Sequence, residues 1–154
     1  MDTSITRVVA AAPDAIYALA AAVEDWPRLL PHYRWVHVLA TDGDRHRTVE
    51  MAARRDVLGN RLSVPLRWTA VQTLHPESMR IEFRHTHGVT RGMWVEWAID
   101  TSDSSTTFVR IRHVFAPRWP VPDGVLKAIV GEYFVNGVAR RTLACLAERA
   151  QRPS

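Results

Sequence analysis

The sequence predicts an α+β fold: a seven-stranded antiparallel curved sheet wrapped round a long C-terminal helix, with two short helices after strand one. Three observations lead there. From about Tyr33 to Phe115, apolar and polar residues alternate in short runs separated by turn residues, the period-two signature of half-buried strands. Asp123–Gln151 then carries apolar residues one or two helical turns apart. Ahead of the strands, a β-branched segment, Ser4–Ala11, runs into Ala12-Pro13-Asp14, a helix-opening sequence. A curved sheet closed over a helix encloses space, so the first functional expectation is an internal site for an apolar small molecule.

The elements follow in order. Ser4–Ala11 is strand one. Pro13 suits a first helical turn and Asp14 favours the positive end of the helix dipole. Ile16, Leu19, Ala20 and Val23 then recur at helical spacing, until Asp25-Trp26-Pro27 breaks the helix; Arg28–Pro31 supplies one more short turn. Tyr33–Leu39 is strand two, Asp42-Gly43-Asp44 a hairpin turn, and Arg47–Arg55 strand three, turned at Leu58-Gly59-Asn60. Leu62, Val64, Leu66, Trp68 and Ala70 alternate along strand four, and Pro65 places part of it at an edge or bulge. In strand five Met79, Ile81 and Phe83 face one way and Arg80, Glu82 and Arg84 the other; the same parity carries His85 and His87 to the buried side. Arg91–Asp100 is strand six, with Met93, Val95, Trp97 and Ile99 on one face. Phe108–Phe115 is strand seven, with Val109, Ile111, His113 and Phe115 inward. Along the last helix Leu126, Ile129, Val130, Tyr133, Gly137, Leu143 and Leu146 form the apolar stripe.

Composition narrows the function. A chain of 154 residues, read as one domain spanning 1–154, buries about two-thirds of its unfolded surface. No run of eighteen apolar residues is present, and Met1–Ala11 lacks the basic and apolar regions of a secretion signal. The single cysteine, Cys145, rules out an internal disulfide and sits among Leu143, Ala144 and Leu146, where a buried thiol is the expectation. A cytoplasmic protein without membrane insertion follows. The net charge of +4 is carried almost wholly by arginine, Lys127 being the only lysine. The arginines alternate with apolar residues along the strands as solvated faces do, without the one-sided clustering of a nucleic-acid binder.

Trp26, Tyr33, Trp68, Trp94, Trp97, Trp119 and Tyr133 are many large rings for a small chain. Trp68 and Trp97 fall on inward faces, where rings either fill the core or line a cavity. His85, His87 and His113 lie on the inward parity of strands five and seven. Two strand spacings, about 10 Å, separate His113 from His85, too far for a shared metal ion. A histidine held near neutrality instead serves as hydrogen-bond donor or acceptor to a ligand carbonyl. Arg54-Arg55 and Arg140-Arg141 read as solvated doublets. No Gly-x-Ser-x-Gly, phosphate-binding loop or His-Glu-x-x-His occurs.

The order of these segments, with Ala12-Pro13…Ile16-Tyr17, Asp25-Trp26-Pro27, Pro31-His32-Tyr33, Gly88…Met93…Trp97 and Leu143–Glu148, resembles the helix-grip fold of the START-like superfamily. Within it the chain looks most like bacterial polyketide cyclase/dehydrase and coenzyme Q-binding proteins. Aromatase/cyclases of the tetracenomycin type carry Trp-x-Ser-x-Arg on strand four, and their serine and arginine are implicated in folding and dehydrating a poly-β-ketone. Here the matching run is Trp68-Thr69-Ala70-Val71-Gln72: the tryptophan is kept, and Ala70 and Gln72 stand at the serine and arginine positions. Arg67 faces inward only in a register that expels Leu66 and Trp68. The tyrosine that follows Trp-Pro in the cyclases is matched by Tyr33.

The resemblance implies binding of a hydrophobic, aromatic or polyketide-like molecule, with polyketide cyclase/dehydrase action or non-catalytic carriage of a quinone or lipid as the two functions. Tyr33, His85 and His113 are the candidate catalytic residues. Trp26, Trp68, Gln72, Phe83, Met93, Trp97, Ile111 and Tyr133 are the candidate ligand-binding residues. No cofactor, metal or nucleic acid is expected, and the protein is expected as a monomer or homodimer.

Overall fold

The computed structural model describes residues 1–57, 62–103, 105–117, 120–126, 128 and 137–152. Seven strands form one antiparallel sheet: β1 (Asp2–Val9), β2 (Tyr33–Asp42), β3 (His46–Val57), β4 (Leu62–His75), β5 (Arg80–His87), β6 (Trp94–Asp103) and β7 (Thr106–Val114). They lie in the order β1-β7-β6-β5-β4-β3-β2, so consecutive strands are neighbours from β2 to β7 and β1 closes against β7. The edges are β1 and β2. Helix α1 (Pro13–Ala21), a 3-10 turn at Val23–Asp25 and α2 (Trp26–Leu29) follow β1. At the C-terminal end stand α3 (Asp123–Leu126) and α4 (Arg140–Gln151). The stretch expected as one helix over Asp123–Gln151 is thus described in two pieces, with residues 137–139 widened into a π-helical turn before α4. The expected turn at Leu58-Gly59-Asn60, Trp119 and Tyr133 lie outside the described residues.

Cross-strand pairing sorts side chains into inward and outward sets, because residues directly opposite each other share a face. One inward row runs Gln72–Phe83–Val95–His113, and a second runs Leu74–Ile81–Trp97–Ile111–Ile5. The outward rows carry ion pairs such as Arg110–Glu96 and Arg80–Asp100, all partly exposed and so worth about 0–1 kcal/mol each. Cohesion comes from the inward set. Val9, Val49, Ile81, Ile99, Val109 and Ile111 pack with Ile16, Ala20 and Val23 of the helical pair and with Leu143, Leu146 and Ala147 of α4. Full burial of each valine, leucine or isoleucine among them contributes about 1.5–3 kcal/mol.

Two irregularities decide which side chains reach that face. In β2 the register slips between Tyr33 and Trp35, leaving Arg34 as an extra residue. In a regular strand Tyr33 and Val36 would lie on opposite faces; across this bulge both point inward, opposite Ala53 and Met51. In β5, Ala70 pairs with His85 while Thr69 pairs with His87, which leaves Thr86 extra. That slip reverses the parity, so His85 is buried and His87, expected on the buried side, is exposed. Pro65 sits in an interior strand, yet β5 pairs with β4 only from Thr69 onward, so its missing N–H falls where β4 has one open side.

Helix α1 opens with Pro13 and Asp14 as its residues dictate, and its end is clamped from the sheet. Gln72 Nε2 and Arg47 Nη2 both donate to the Ala21 carbonyl, at 3.0 and 2.8 Å, and Arg47 Nε and Nη2 also donate to Gln72 Oε1. Arg47 further pairs with Glu24 at 2.9 Å. An otherwise orphaned helix-end carbonyl is thereby satisfied, and a fully buried amide finds its partners.

The connection after β5 fixes Trp68. Gly88 has φ +100°, and a Cβ placed there would stand 2.8 Å from the Arg67 carbonyl oxygen and 3.2 Å from Trp68 Cα. Gly92 has φ +95° with open space around it. Gly88→Ala therefore combines backbone strain with a backbone clash and should cost about 2–3 kcal/mol, whereas Gly92→Ala carries strain alone, about 1 kcal/mol. Urea denaturation of the two variants checks this, and equal costs would refute the close approach at Trp68.

Candidate functional site

A cavity of about 50 Å³ lies between the inward face of the sheet and the start of α4. Among the described residues its walls are Trp26, Tyr33, Met51, Trp68, Phe83, His85, Val95, Trp97, Ile111, His113, Val138, Ala139 and Thr142. The structure thus brings together Tyr33, His85, His113, Trp26, Trp68, Phe83, Trp97 and Ile111 from five strands and α2. Gln72 points inward but does not line the cavity: its amide is committed to Arg47 and Ala21 at the far end of β4. Arg67, opposite Ala52, is exposed, so neither side chain supplies a polar group to the cavity. Met93 is fully buried in the β5–β6 connection, outside the lining.

The rings form a continuous wall. Trp26 meets Tyr33 edge-on at 5.2 Å between centroids, and Trp97 and Phe83 at 6.1 and 6.2 Å. Tyr33 meets Trp68 at 6.2 Å, and Trp68 lies parallel to His85 at 5.9 Å. Trp26 keeps its orientation by donating Nε1–H to the Leu19 carbonyl at 3.0 Å, so its indole body can face an apolar space.

Four neutral polar groups interrupt this wall. His85 is held on both sides: its backbone pairs with Met93 and Gly92, and Nδ1 contacts Thr90 Oγ1 at 2.7 Å. Burial lowers its pKa to about 3, with the nearby His113 adding to the shift. Burial alone lowers His113 to about 4, and its Nδ1 has no partner among the described residues. Burial raises the Tyr33 phenol well above its ordinary value, opposed by the nearby Thr142 hydroxyl. Thr142 in turn contacts His32 Nε2 at 2.8 Å. Burial lowers His32 to about 4, helped by the Arg141 charge and opposed by the Val138 carbonyl, although no hydrogen bond closes on Nδ1 among the described residues. Among the described residues no three His, Cys, Asp or Glu side chains converge as metal ligands would.

Sequence reasoning missed Met51, Val95, Val138, Ala139, Thr142 and His32. Met51 and Val95 were within reach, since strand parity sets them beside Trp68 and between Phe83 and His113. Val138, Thr142 and Leu146 recur every fourth residue, the spacing of one helix face. His32 had no periodic signal, because it precedes β2.

The three buried histidines make stability depend on pH. Each is neutral when folded and takes a proton near pH 6.5 once unfolded. Their stabilisation is therefore complete above about pH 6.5 and is lost as pH falls toward the folded values of about 3 to 4. Each contributes a slope of about 1.4 kcal/mol per pH unit in that window. Denaturation near pH 5 should show uptake of close to three protons on unfolding, falling to about half that at pH 6.5, and His113→Leu should remove one of them. An unchanged slope in that variant would place His113 in solvent.

The fold and this lining now meet the comparisons with known proteins. A family model for polyketide cyclase/dehydrase and lipid transport matches residues 9–140. Among curated proteins none matches by sequence. Among solved structures, the Zhui aromatase/cyclase from a Streptomyces species superposes with a TM-score of 0.79 at 23% identity, covering 99% of this chain and 94% of that one. One half of the di-domain aromatase/cyclase BexL, from the BE-7585A biosynthetic pathway, superposes with a TM-score of 0.73 at 25% identity, covering 96% of this chain and 45% of that one. A START superfamily protein from Mycobacterium smegmatis superposes with a TM-score of 0.71 at 17% identity, with 97% of both chains covered. The sheet, the helical pair after β1 and the C-terminal helix are those of the helix-grip fold, and the chain belongs to the polyketide cyclase/dehydrase and lipid transport family.

Proposed function

We propose that the space between the sheet and α4 takes an aromatic or polyketide-like molecule and folds it for ring closure. The observation that carries this reading is an aromatic-walled, charge-free lining in which Tyr33, Thr142, His85 and His113 are the polar groups among the described residues. Such a lining rewards flat apolar rings and a few neutral oxygens, and penalises a carboxylate or phosphate, which would be buried without a counter-charge. The aromatase/cyclase neighbours and the family match support it.

The chemistry follows from the pKa directions. A general base works best with a pKa near the working pH, and histidines held at about 3 to 4 are poor proton acceptors at neutrality. Rate would come from orientation. A flexible poly-β-ketone bent within the cavity sets an enol carbon against a ketone carbon. The new C–C bond forms as the enol gives up its proton, the ketone oxygen becomes a hydroxyl, and loss of water leaves a ring double bond. Tyr33 donates a hydrogen bond to the ketone oxygen as charge develops there, and His85 and His113 hold neighbouring oxygens. Carriage without turnover is the second reading. It is favoured by Ala70 and Gln72 at the serine and arginine positions of the cyclases, and by the engagement of Gln72 elsewhere.

A cavity of about 50 Å³ holds a water or two, so ligand entry requires the rings or α4 to move outward. Binding should quench tryptophan emission at micromolar ligand, with an observed rate that levels off as ligand concentration rises. A panel of quinones, flavonoids and fatty acids that produces no quenching would remove the binding site itself. To separate the two readings, a poly-β-ketone generated in situ is incubated with the protein. A cyclase converts the spontaneous mixture to one regiospecific ring product, and Tyr33→Phe slows this about a hundredfold while leaving binding nearly intact. A carrier leaves the mixture unchanged, and Tyr33→Phe then weakens binding by about 0.5–1.5 kcal/mol.

A further inference from the structure

The arginines, expected to scatter along solvated faces, divide into two groups on the outer face of the sheet. On β5 and β7, Arg80, Arg110 and Arg112 pair with Asp100, Glu96 and Asp2. At the other side of the sheet, where β2, β3 and β4 turn Tyr33 and Trp68 inward, Arg34, Arg54 and Arg67 are exposed and form no ion pair among the described residues. Arg34 is the extra residue of the β2 bulge. Arg67 shares an outward row with Ala52 and Trp35, and Arg54 stands one row further along β3, opposite Pro65. The β5–β6 connection lies against Arg67, since a Cβ at Gly88 would meet its carbonyl oxygen at 2.8 Å. That connection carries Val89 and Arg91, both exposed, and Arg91 likewise has no ion pair among the described residues. Four guanidiniums thus fall within about 15 Å across the strands. Glu50, in the next row between His37 and Thr69, is the acid on these two rows. In sequence, Ala52–Arg67 holds four arginines against one acid, Asp56.

Trp35 stands among these cations, half-buried, its ring stacked on exposed His37 at 4.5 Å. Val89, 41% exposed, flanks them on the other side. This pattern selects the partner. Cations without counter-charges call for anions, and a guanidinium matches phosphate with two parallel hydrogen bonds. The two apolar side chains are set apart among the charges and form no gathered apolar centre of the kind a protein interface is built on. The bulged edge of β2 also refuses an added strand. An indole and an aliphatic side chain placed singly beside arginines suit the headgroup level of a bilayer, where one end is apolar and the other wet. We propose that this corner of the outer face docks on an anionic lipid surface, with Arg34, Arg54, Arg67 and Arg91 on lipid phosphates and Trp35 and Val89 at headgroup depth. The docking is peripheral, and it sets the lipid against the same strands whose inner face walls the cavity.

The test uses vesicles of phosphatidylcholine alone and vesicles with about one-third phosphatidylglycerol. The protein should sediment with the second and not the first, and raised salt should release it. Arg54→Gln and Arg67→Gln should each lower the partition coefficient about fivefold. Arg110→Gln and Arg112→Gln remove the same charge from the ion-paired half and should change it less than about twofold. Equal losses from both halves would show attraction by net charge alone and overturn the proposal. Depth is read separately, with brominated phosphatidylcholine in the anionic vesicles. Bromine should quench part of the tryptophan emission of the wild type, and Trp35→Phe should abolish that part. Binding without this difference would place Trp35 away from the lipid and overturn the docking pose. Binding to soluble polyglutamate but not to either vesicle would assign the corner to an acidic protein, and binding to none of the three would leave it a solvated face; either result sinks the lipid reading.

Discussion

Everything in this molecule answers to one constraint: a period-two sequence that commits one face of a seven-stranded sheet to burial. Ile81, Phe83, Val95, Trp97, Ile99, Val109, Ile111 and His113 share that face because they lie opposite one another across β5, β6 and β7. Exposing it would cost more than any set of surface ion pairs returns. The helical pair after β1 and α4 exist to cover it, and the cavity is the place where the cover and the large rings do not quite meet. The clamp of Arg47 and Gln72 on the end of α1 belongs to the same task, since it seats one cover on the sheet without leaving a buried carbonyl unpaired.

Burial also sets the chemistry. Three histidines and a tyrosine, ordinarily the acid–base tools of an active site, are held neutral by loss of solvent, with the histidines lowered and the phenol raised. The same dryness that weakens them as proton carriers strengthens them as dipoles, because a hydrogen bond in a low dielectric is worth more than one in water. The site is therefore suited to recognising the position of neutral oxygens, and shape rather than proton transfer is its main resource.

Much of this was legible in the chain. Strand parity gave the sheet, the inward tryptophans at 68 and 97, and the pairing of His85 and His113 with one interior. The helix-opening Pro13 and Asp14 did what their chemistry dictates. What escaped reading were breaks in periodicity. No local signal marks Thr86 as an extra residue in β5, yet it decides that His87 leaves the interior. Gln72 has the correct parity for the cavity and is drawn off by a helix-end carbonyl fifty-one residues away. His32 and Thr142, 110 residues apart, meet only in the folded chain. Period-two reading captures which face a residue takes; it carries no information on how far along that face a partner from another element will intercept it.

The bulges in β2 have a further effect. This strand is an edge, ten residues long, with exposed Val38 and Leu39, and an unpaired edge of that length is a template for joining another sheet. The register slips at Arg34 and again between Val38 and Ala40, so no stretch of β2 longer than about four residues keeps the even spacing of N–H and C=O groups that a flat incoming strand needs. The irregularity that turns Tyr33 inward is thus continuous with one that spoils the outer rim for self-assembly. Removing both extra residues, Arg34 and Leu39, would leave Tyr33 opposite Ala53 yet give the rim the even spacing of a surface prone to fibril growth.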